Sequence, residues 1–245
     1  MGKVTVTIKT LSPLHLGSGQ ENIIVDSDVV YDQYGMPYFP AKRFRGALYE
    51  SALELAEMSA EREALTVDNI NTFFGLDTSS ENALRISNFY LTDEGESYES
   101  LCDQWKYLQH EYSGLLTPED VLSVYTTMRY YTSIHPENGV ALHGSLHTMR
   151  VVKKGIVFQG TIEWDRDIFD LPSVDVACPK DTGKKEKKSH QKLSYRKKTY
   201  RKKAAKSQMK NRTEEIIELM LANLRFVGTK RNRGLGAIRC EIKGE

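Results

Sequence analysis

The sequence has no apolar run that approaches the roughly 20 residues of a membrane-spanning helix, and its first residues lack the pattern of a signal peptide. Cysteine is scarce, since Cys102, Cys178 and Cys240 are scattered and form no Cys-x-x-Cys pair. These absences argue against a membrane partner, a disulfide framework and a cysteine-based zinc site. We therefore expect a cytoplasmic protein in a reducing compartment.

Net charge is also low, at +1, but the charges are unevenly distributed. Residues 180–212 contain 15 lysines and arginines and two acidic residues, so the rest of the chain is acidic. We expect so basic a segment to stay outside any core and to be mobile unless an anion orders it. Tyr195 and Tyr200 within it could stack on nucleic-acid bases. The alternative is a solvated insertion that only aids solubility or RNA capture.

A glycine-rich basic loop lies near the C-terminus, at residues 228–236, with the sequence Gly-Thr-Lys-Arg-Asn-Arg-Gly-Leu-Gly. Glycine permits positive φ and close approach of the backbone to a ligand. Backbone N–H groups together with guanidinium groups suit phosphate. The loop therefore favours contact with a polynucleotide backbone, with a solvated basic turn as the alternative. Its predicted RNA-binding residues are Lys230, Arg231, Asn232, Arg233, Gly234 and Gly236.

Hydrophobic patterning elsewhere predicts a mixed α+β fold. Lys3–Thr10 alternates apolar and polar residues like a half-buried strand, and further strands are predicted at 22–31, 82–91, 125–133, 141–152, 156–164 and 237–242. Strands 141–152 and 156–164 are expected to pair around a turn at 153–155. Helices are predicted from Thr117 and over 213–224. This order of elements is typical of a ferredoxin-like sheet elaborated by insertions.

Another predicted helix contains Phe44, Leu48, Ala52 and Leu55, which recur every three to four residues along one apolar face. Its first turn carries three cations, at Lys42, Arg43 and Arg45. Cations are unfavourable beside the positive end of a helix dipole unless an anion binds there. The start of this helix is therefore a second predicted phosphate contact.

Four motifs in order carry a resemblance to a known family. They are Ser-Pro-Leu-His-Leu-Gly-Ser-Gly at 12–19, Asp-Gln-Tyr-Gly-Met-Pro-Tyr-Phe-Pro at 32–40, Phe-Arg-Gly-Ala-Leu at 44–48 and the glycine-rich basic loop. With this set, the chain resembles the RAMP superfamily of CRISPR-associated proteins. Within that superfamily it most resembles the repeated backbone subunit of type III effector complexes. The resemblance covers most of the chain outside residues 93–125 and 170–212.

The resemblance implies a single RAMP domain over residues 1–245, with a ferredoxin-like or RRM-like palm and an inserted β-hairpin thumb. It leaves 93–125 as an insertion and 180–212 as a basic insertion. The implied partners are a guide crRNA, target RNA and other RAMP subunits, including further copies of the backbone subunit. His15 is expected to be structural or to contact RNA. Lys42 and Arg43 stand where members usually have two serines, so charge would replace hydroxyl contacts to phosphate.

In catalytic backbone subunits a loop aspartate cleaves target RNA, and the match places Asp26 at that position. Asp28 is the alternative, because in an extended segment both side chains would face the same side. RNA supplies its own nucleophile, the 2′-OH, so one carboxylate could accept its proton or hold a hydrated Mg²⁺ or Mn²⁺. The expectation is a metal-dependent endoribonuclease with Asp26 as a metal ligand. Two aspartates that merely polarise a loop, in a non-catalytic structural subunit, are the alternative.

Histidines give two further hypotheses. His15 as a general base would make the chain a free-standing crRNA-processing endonuclease. His143 and His147 are four residues apart and could share a metal if a third ligand, such as His135, joined them. Since two imidazoles do not complete a zinc site, ordinary strand residues are the simpler interpretation.

Overall fold

The computed structural model describes residues 2–19, 25–58, 65–76, 84–93, 96–165, 169 and 212–243. The basic insertion at 180–212 lies outside the described residues except for Arg212. Within the described ranges, the strands are β1 (Gly2–Thr10), β2 (Leu84–Ile86), β3 (Tyr90–Thr92), β4 (Thr126–Tyr131), β5 (His147–Val152), β6 (Val157–Trp164) and β7 (Ile238–Lys243). The helices are α1 (Ala41–Met58), α2 (Val67–Phe73), α3 (Tyr98–Glu111), α4 (Pro118–Tyr125) and α5 (Arg212–Asn223), with a 3₁₀ turn at Arg231–Arg233.

The main sheet is antiparallel, with the strand order β2-β6-β1-β7 and with β3 also paired to β6. β1 is predicted correctly from its alternation, because Val4, Val6 and Ile8 are buried while Lys3 and Lys9 are exposed. Such alternation means that one face of the sheet is covered and the other is open.

Helices α1 and α5 supply that cover. The predicted apolar face of α1 is confirmed, since Phe44, Leu48 and Ala52 are fully buried. Between the helices, the hydroxyl of Ser51 donates a 2.7 Å hydrogen bond to the carbonyl of Met220. The element order β1, α1, β2, β6, α5, β7 thus gives one sheet backed by two helices.

β4 and β5 form a separate two-stranded sheet, so the predicted pairing of 141–152 with 156–164 is wrong. β6 buries every second side chain, and β1 offers it a matching row, with Val4 opposite Ile162. The turn at 153–155 exists, with Gly155 at φ +93°. There the Gly155 N–H donates to the carbonyl of Thr10, and the chain passes from one sheet to the other.

Among the other predicted elements, some are confirmed and some are wrong. The helix start at Thr117 is confirmed, since Thr117 caps α4 and forms a capping box with Asp120. Residues 25–31 form isolated bridges instead of the predicted strand, and 82–91 divides into β2 and β3. Helix α3, inside the expected 93–125 insertion, was not predicted. Over the described ranges, no helix is both long enough and apolar enough to span a membrane.

Candidate nucleic-acid interface and catalytic site

The glycine-rich basic loop packs directly on the 12–19 motif. The N–H of Gly236 donates to the carbonyl of Pro13 at 2.9 Å. Gly228 has φ +81°, and a Cβ there would lie 2.6 Å from the carbonyl oxygen of His15. Only glycine allows both this conformation and this approach. Two segments that are more than 200 residues apart in the sequence therefore meet at His15.

His15 lies beneath this junction and is only 3% exposed. Its Nδ1 lies 2.7 Å from the carbonyl oxygen of Arg150 and must donate to it, because a carbonyl can only accept. Its Nε2 then accepts from the hydroxyl of Ser27 at 3.0 Å. Burial lowers the pKa of the imidazole, and the nearby charges of Lys230 and Arg43 lower it further. His15 is thus a neutral ring with both nitrogens engaged, which suits a structural role and leaves no free base.

We expect acid to destabilise the protein through His15. Because its pKa is lower in the folded state, the unfolded chain binds more protons below about pH 6.5, and the free energy of unfolding falls as the pH drops. Urea titrations at about pH 7.5 and about pH 5.5 would measure the fall. The variant His15→Asn, which keeps a donor but cannot titrate, should lose less stability over this interval. Equal losses in the two proteins would contradict the prediction.

The two candidate aspartates occupy opposite environments. The side chain of Asp26 is 53% exposed, whereas that of Asp28 is 5% exposed. The expectation that both face the same side is therefore wrong, because the backbone bends at Asp26 instead of continuing as a strand. Asp28 accepts from the N–H of Val29 at 2.7 Å and lies 3.0 Å from Nε of Arg150. Asp26 is therefore the carboxylate that RNA could reach.

Arg150, on β5, fixes the segment that carries both aspartates. Its buried guanidinium group contacts Asp28 and donates to Glu119. Its Nε meets Asp28 as an ion pair, without the angle of a hydrogen bond. Its backbone N–H donates to the carbonyl of Ser27 at 3.0 Å, and its own carbonyl accepts from His15. Arg150 thereby ties residues 27 and 28 to the edge of β5.

The Asp26 carboxylate is held at this edge by Thr148. Its Oδ2 accepts from the Thr148 N–H at 2.6 Å and from the Thr148 hydroxyl at 3.0 Å. These hydrogen bonds, with a smaller contribution from the charge of His147, lower the pKa of Asp26. Asp26 is therefore an exposed, oriented anion at neutral pH.

An aromatic cluster connects Asp26 with the glycine-rich basic loop. The His147 ring stacks on Tyr131 of β4, with centroids 5.3 Å apart, and its Nδ1 lies 4.0 Å from Oδ2 of Asp26. Nζ of Lys230 lies 3.2 Å from the centroid of the Tyr131 ring, and Arg233 lies 5.8 Å from it. Among the described residues, Lys230 is the only non-glycine with positive φ, at 57°. The cationic loop and the acidic site therefore form one continuous surface.

Comparison with known proteins identifies the family. A sequence model of the RAMP superfamily matches residues 7–239, nearly the whole chain. The chain belongs to the RAMP superfamily. None of the curated proteins matches it significantly.

Two solved structures contain chains that are similar in fold to this RAMP protein. It is similar to a chain in the cryo-EM structure of the Type III-B Cmr-beta bound to cognate target RNA, with a TM-score of 0.57 and 13% identity over 99% of this chain and 97% of that one. A chain in the apo-state cryo-EM structure of the Type III-B Cmr-beta gives a TM-score of 0.52 and 13% identity over 99% and 98%. At such identity, the likeness concerns the fold.

The remaining predicted RNA-binding cations of this RAMP protein differ in whether their side chains already have a partner within the protein. Arg43 donates to the carbonyl of Gly17 and Arg45 to that of Phe74, while Arg231 is 3.2 Å from Glu50 of α1. Lys42 has no ion-pair partner in the described part of the chain. It lines a cavity of about 310 Å³ beside the start of α1, together with Arg45 and Arg85. Asn232 and Gly234 are exposed on the glycine-rich basic loop.

The fit of a divalent metal at Asp26 is limited. Over the described ranges, no three His, Cys, Asp or Glu side chains are grouped as metal ligands. The predicted companions of His147 do not assemble with it among the described residues, where His143 is exposed and His135 half-buried in the segment between β4 and β5. One carboxylate suits a Mg²⁺ that keeps several waters and takes its other ligands from RNA phosphates. The residues therefore fit a metal that is held largely by the substrate.

Sequence reasoning missed Tyr131 and passed over His147 as an ordinary strand residue. Both belong to the surface at Asp26 only because β4 pairs with β5, which sets Tyr131 opposite His147. An aromatic residue near the end of the predicted strand 125–133 and a histidine within the next predicted strand, 141–152, are the one signal that could have found them.

Proposed function

We propose that this RAMP protein is a guide-crRNA-binding backbone subunit of a type III CRISPR interference complex, acting in the cytoplasm. It would assemble with other RAMP subunits and with further copies of itself, and would cleave target RNA at Asp26. The observation that carries this proposal is the continuous surface on which Lys230 and Arg233 of the glycine-rich basic loop lie next to the exposed carboxylate of Asp26.

The arrangement of the two sheets supports the proposal of a palm and a thumb. The antiparallel strand order β2-β6-β1-β7, with α1 and α5, is consistent with a ferredoxin-like palm and supports this part of the proposal. The two-stranded β4–β5 sheet and the residues between its strands would be the thumb. The likeness in fold to chains of Type III-B Cmr-beta supports placement in a type III complex.

The proposed chemistry needs little from the protein. The 2′-OH of the target RNA attacks the adjacent phosphorus once the nucleotide is held in line, and such orientation can lower the barrier by several kcal/mol. Asp26 accepts the proton of the 2′-OH. A Mg²⁺ bound by Asp26 and the phosphates would neutralise charge that develops on the phosphoryl oxygens. The products would be a 2′,3′-cyclic phosphate and a 5′-OH.

Reconstitution of the effector complex with guide RNA and labelled target tests the function. With Mg²⁺ we expect target cleavage at regular intervals, one cut per backbone copy, leaving a 2′,3′-cyclic phosphate. Tight RNA binding with no cleavage by any complex would instead assign a non-catalytic structural subunit. Metal-independent cleavage of repeat RNA would assign a processing endonuclease, a role that the buried and fully engaged His15 makes difficult.

Lys42 should hold a guide phosphate. Substitution Lys42→Ala is expected to weaken guide binding several-fold at every guide sequence and to reduce the slope of log K against log salt by about one, because one phosphate contact is lost. Filter binding over a salt series would measure this. Lys106→Ala removes an exposed cation of α3 and serves as the matched control. If the two variants bind alike at every salt concentration, Lys42 makes no phosphate contact.

A further inference from the structure

His147 is placed beside Asp26 but has no part in the proposed chemistry so far. It is the first residue of β5, and its side chain is 44% exposed. Nδ1 faces Oδ2 of Asp26 at 4.0 Å, and the ring is supported by its stack on Tyr131. Within the described part of the chain, Nε2 makes no hydrogen bond. Nδ1 of the imidazole thus faces the carboxylate, and Nε2 is available to a substrate.

Cleavage through the 2′-OH requires two proton transfers, and the carboxylate can perform only one of them. Asp26 is an anion held by Thr148, so it can accept a proton but has none to give. The leaving 5′-oxygen also needs a proton, since an alkoxide is a poor leaving group. Imidazole is the side chain that exchanges a proton most readily near neutral pH. The imidazole of His147 is also close to the carboxylate, since its Nδ1 lies 4.0 Å from Oδ2 of Asp26.

We propose that His147 is a second catalytic residue, the general acid that protonates the 5′-oxygen leaving group. This inference rests on the proposed function. The 2′-oxygen forms a bond to phosphorus while its proton passes to Asp26, and the bond from phosphorus to the 5′-oxygen breaks as that oxygen takes a proton from His147. The enzyme ends with Asp26 protonated and His147 neutral, and exchange with water restores both. No oxidant, reductant or further reactant is consumed.

The surrounding residues favour this role over a purely structural one. Tyr131 contacts His147 through its ring face, and Lys230 adds positive charge on the same ring, where a phosphate would be attracted. Because the side chain of His147 is nearly half exposed at the start of a strand, the fold depends little on its imidazole. Arg150, three residues along β5, has the structural role instead.

Replacing the 5′-bridging oxygen of the target RNA by sulfur distinguishes a general-acid role of His147 from other roles. The cut position is mapped first, and the target is then made with either oxygen or sulfur at the 5′-bridging atom of that position. Sulfur leaves as a thiolate, whose conjugate thiol has a pKa of only about 8.5, so it needs no general acid. Complexes carrying the wild-type chain, His147→Ala, His143→Ala or Asp26→Asn are compared under single-turnover conditions with Mg²⁺. His143 is the matched control, an exposed histidine four residues before His147.

We expect His147→Ala to slow cleavage of the oxygen substrate by about 100-fold or more and to cleave the sulfur substrate within a few-fold of wild type. His143→Ala should match wild type on both substrates. An unchanged rate for His147→Ala on oxygen, or an equal loss on both substrates, overturns the inference while leaving Asp26 in place. If wild type cuts neither substrate, or Asp26→Asn cuts as well as wild type, the proposed function itself fails and the inference with it.

Discussion

Substitution of Asp26 by Asn should reduce the rate of target cleavage by about 100- to 10,000-fold, the range that a general acid or base usually contributes. Asparagine keeps the size of the side chain, and its carbonyl oxygen can still accept from the N–H of Thr148. It cannot take up the proton of the 2′-OH. Single-turnover cleavage of labelled target by the assembled complex would measure the loss, with target binding measured in parallel and expected to be unchanged.

Two variants make this prediction specific. Glu137→Gln removes an exposed acid from the segment between β4 and β5, and it should cleave at the wild-type rate. Asp28→Asn disturbs the buried pair with Arg150 and should lower the yield of folded protein. Should Asp28→Asn assemble normally and lose cleavage while Asp26→Asn retains it, the assignment of the two aspartates would have to be reversed.

The local spacing of apolar residues was sufficient to predict the helices and strands that build the core. β1 and α1 each bury one face against the rest of the protein, so the burial of Val6 and of Phe44 is encoded in the spacing of neighbouring apolar residues. The cap at Thr117 is equally local, since its partner Asp120 is three residues away. The glycine-rich basic loop was identified by its own composition, and the family resemblance added the 12–19 motif. The structure brings these two segments together at His15.

The pairing of strands and the surroundings of individual side chains could not be predicted from local spacing. Whether β6 joins β5 or β1 depends on which apolar rows match in three dimensions, and proximity in sequence favoured the wrong partner. The difference between Asp26 and Asp28 depends on Arg150, more than 120 residues away. The position of His147 in the site follows from the same pairing of β4 with β5.

Arg150→Met should lower the free energy of unfolding by about 3–5 kcal/mol, the usual effect of removing one partner of a buried ion pair. Both side chains of the pair with Asp28 are nearly inaccessible to water. Methionine fills much of the volume of arginine, so the loss would come mainly from a buried carboxylate without its cation. Urea unfolding of wild type and variant at neutral pH would measure it. Arg85→Met breaks an exposed pair with Asp165 and should cost no more than about 1 kcal/mol.

The double variant Arg150→Met with Asp28→Asn separates the charge from the packing. If an unpaired Asp28 causes the instability, removing its charge should recover a large part of the loss, since replacing both members of a buried pair is often close to neutral. A double variant as unstable as Arg150→Met would mean that Glu119 and the packing of the arginine side chain matter more than Asp28. An Arg150→Met variant as stable as wild type would mean that the pair does not hold the segment. The orientation of Asp26 would then depend on Thr148, and Thr148→Val, which keeps the backbone N–H but loses the hydroxyl, should slow cleavage while Arg150→Met leaves it intact.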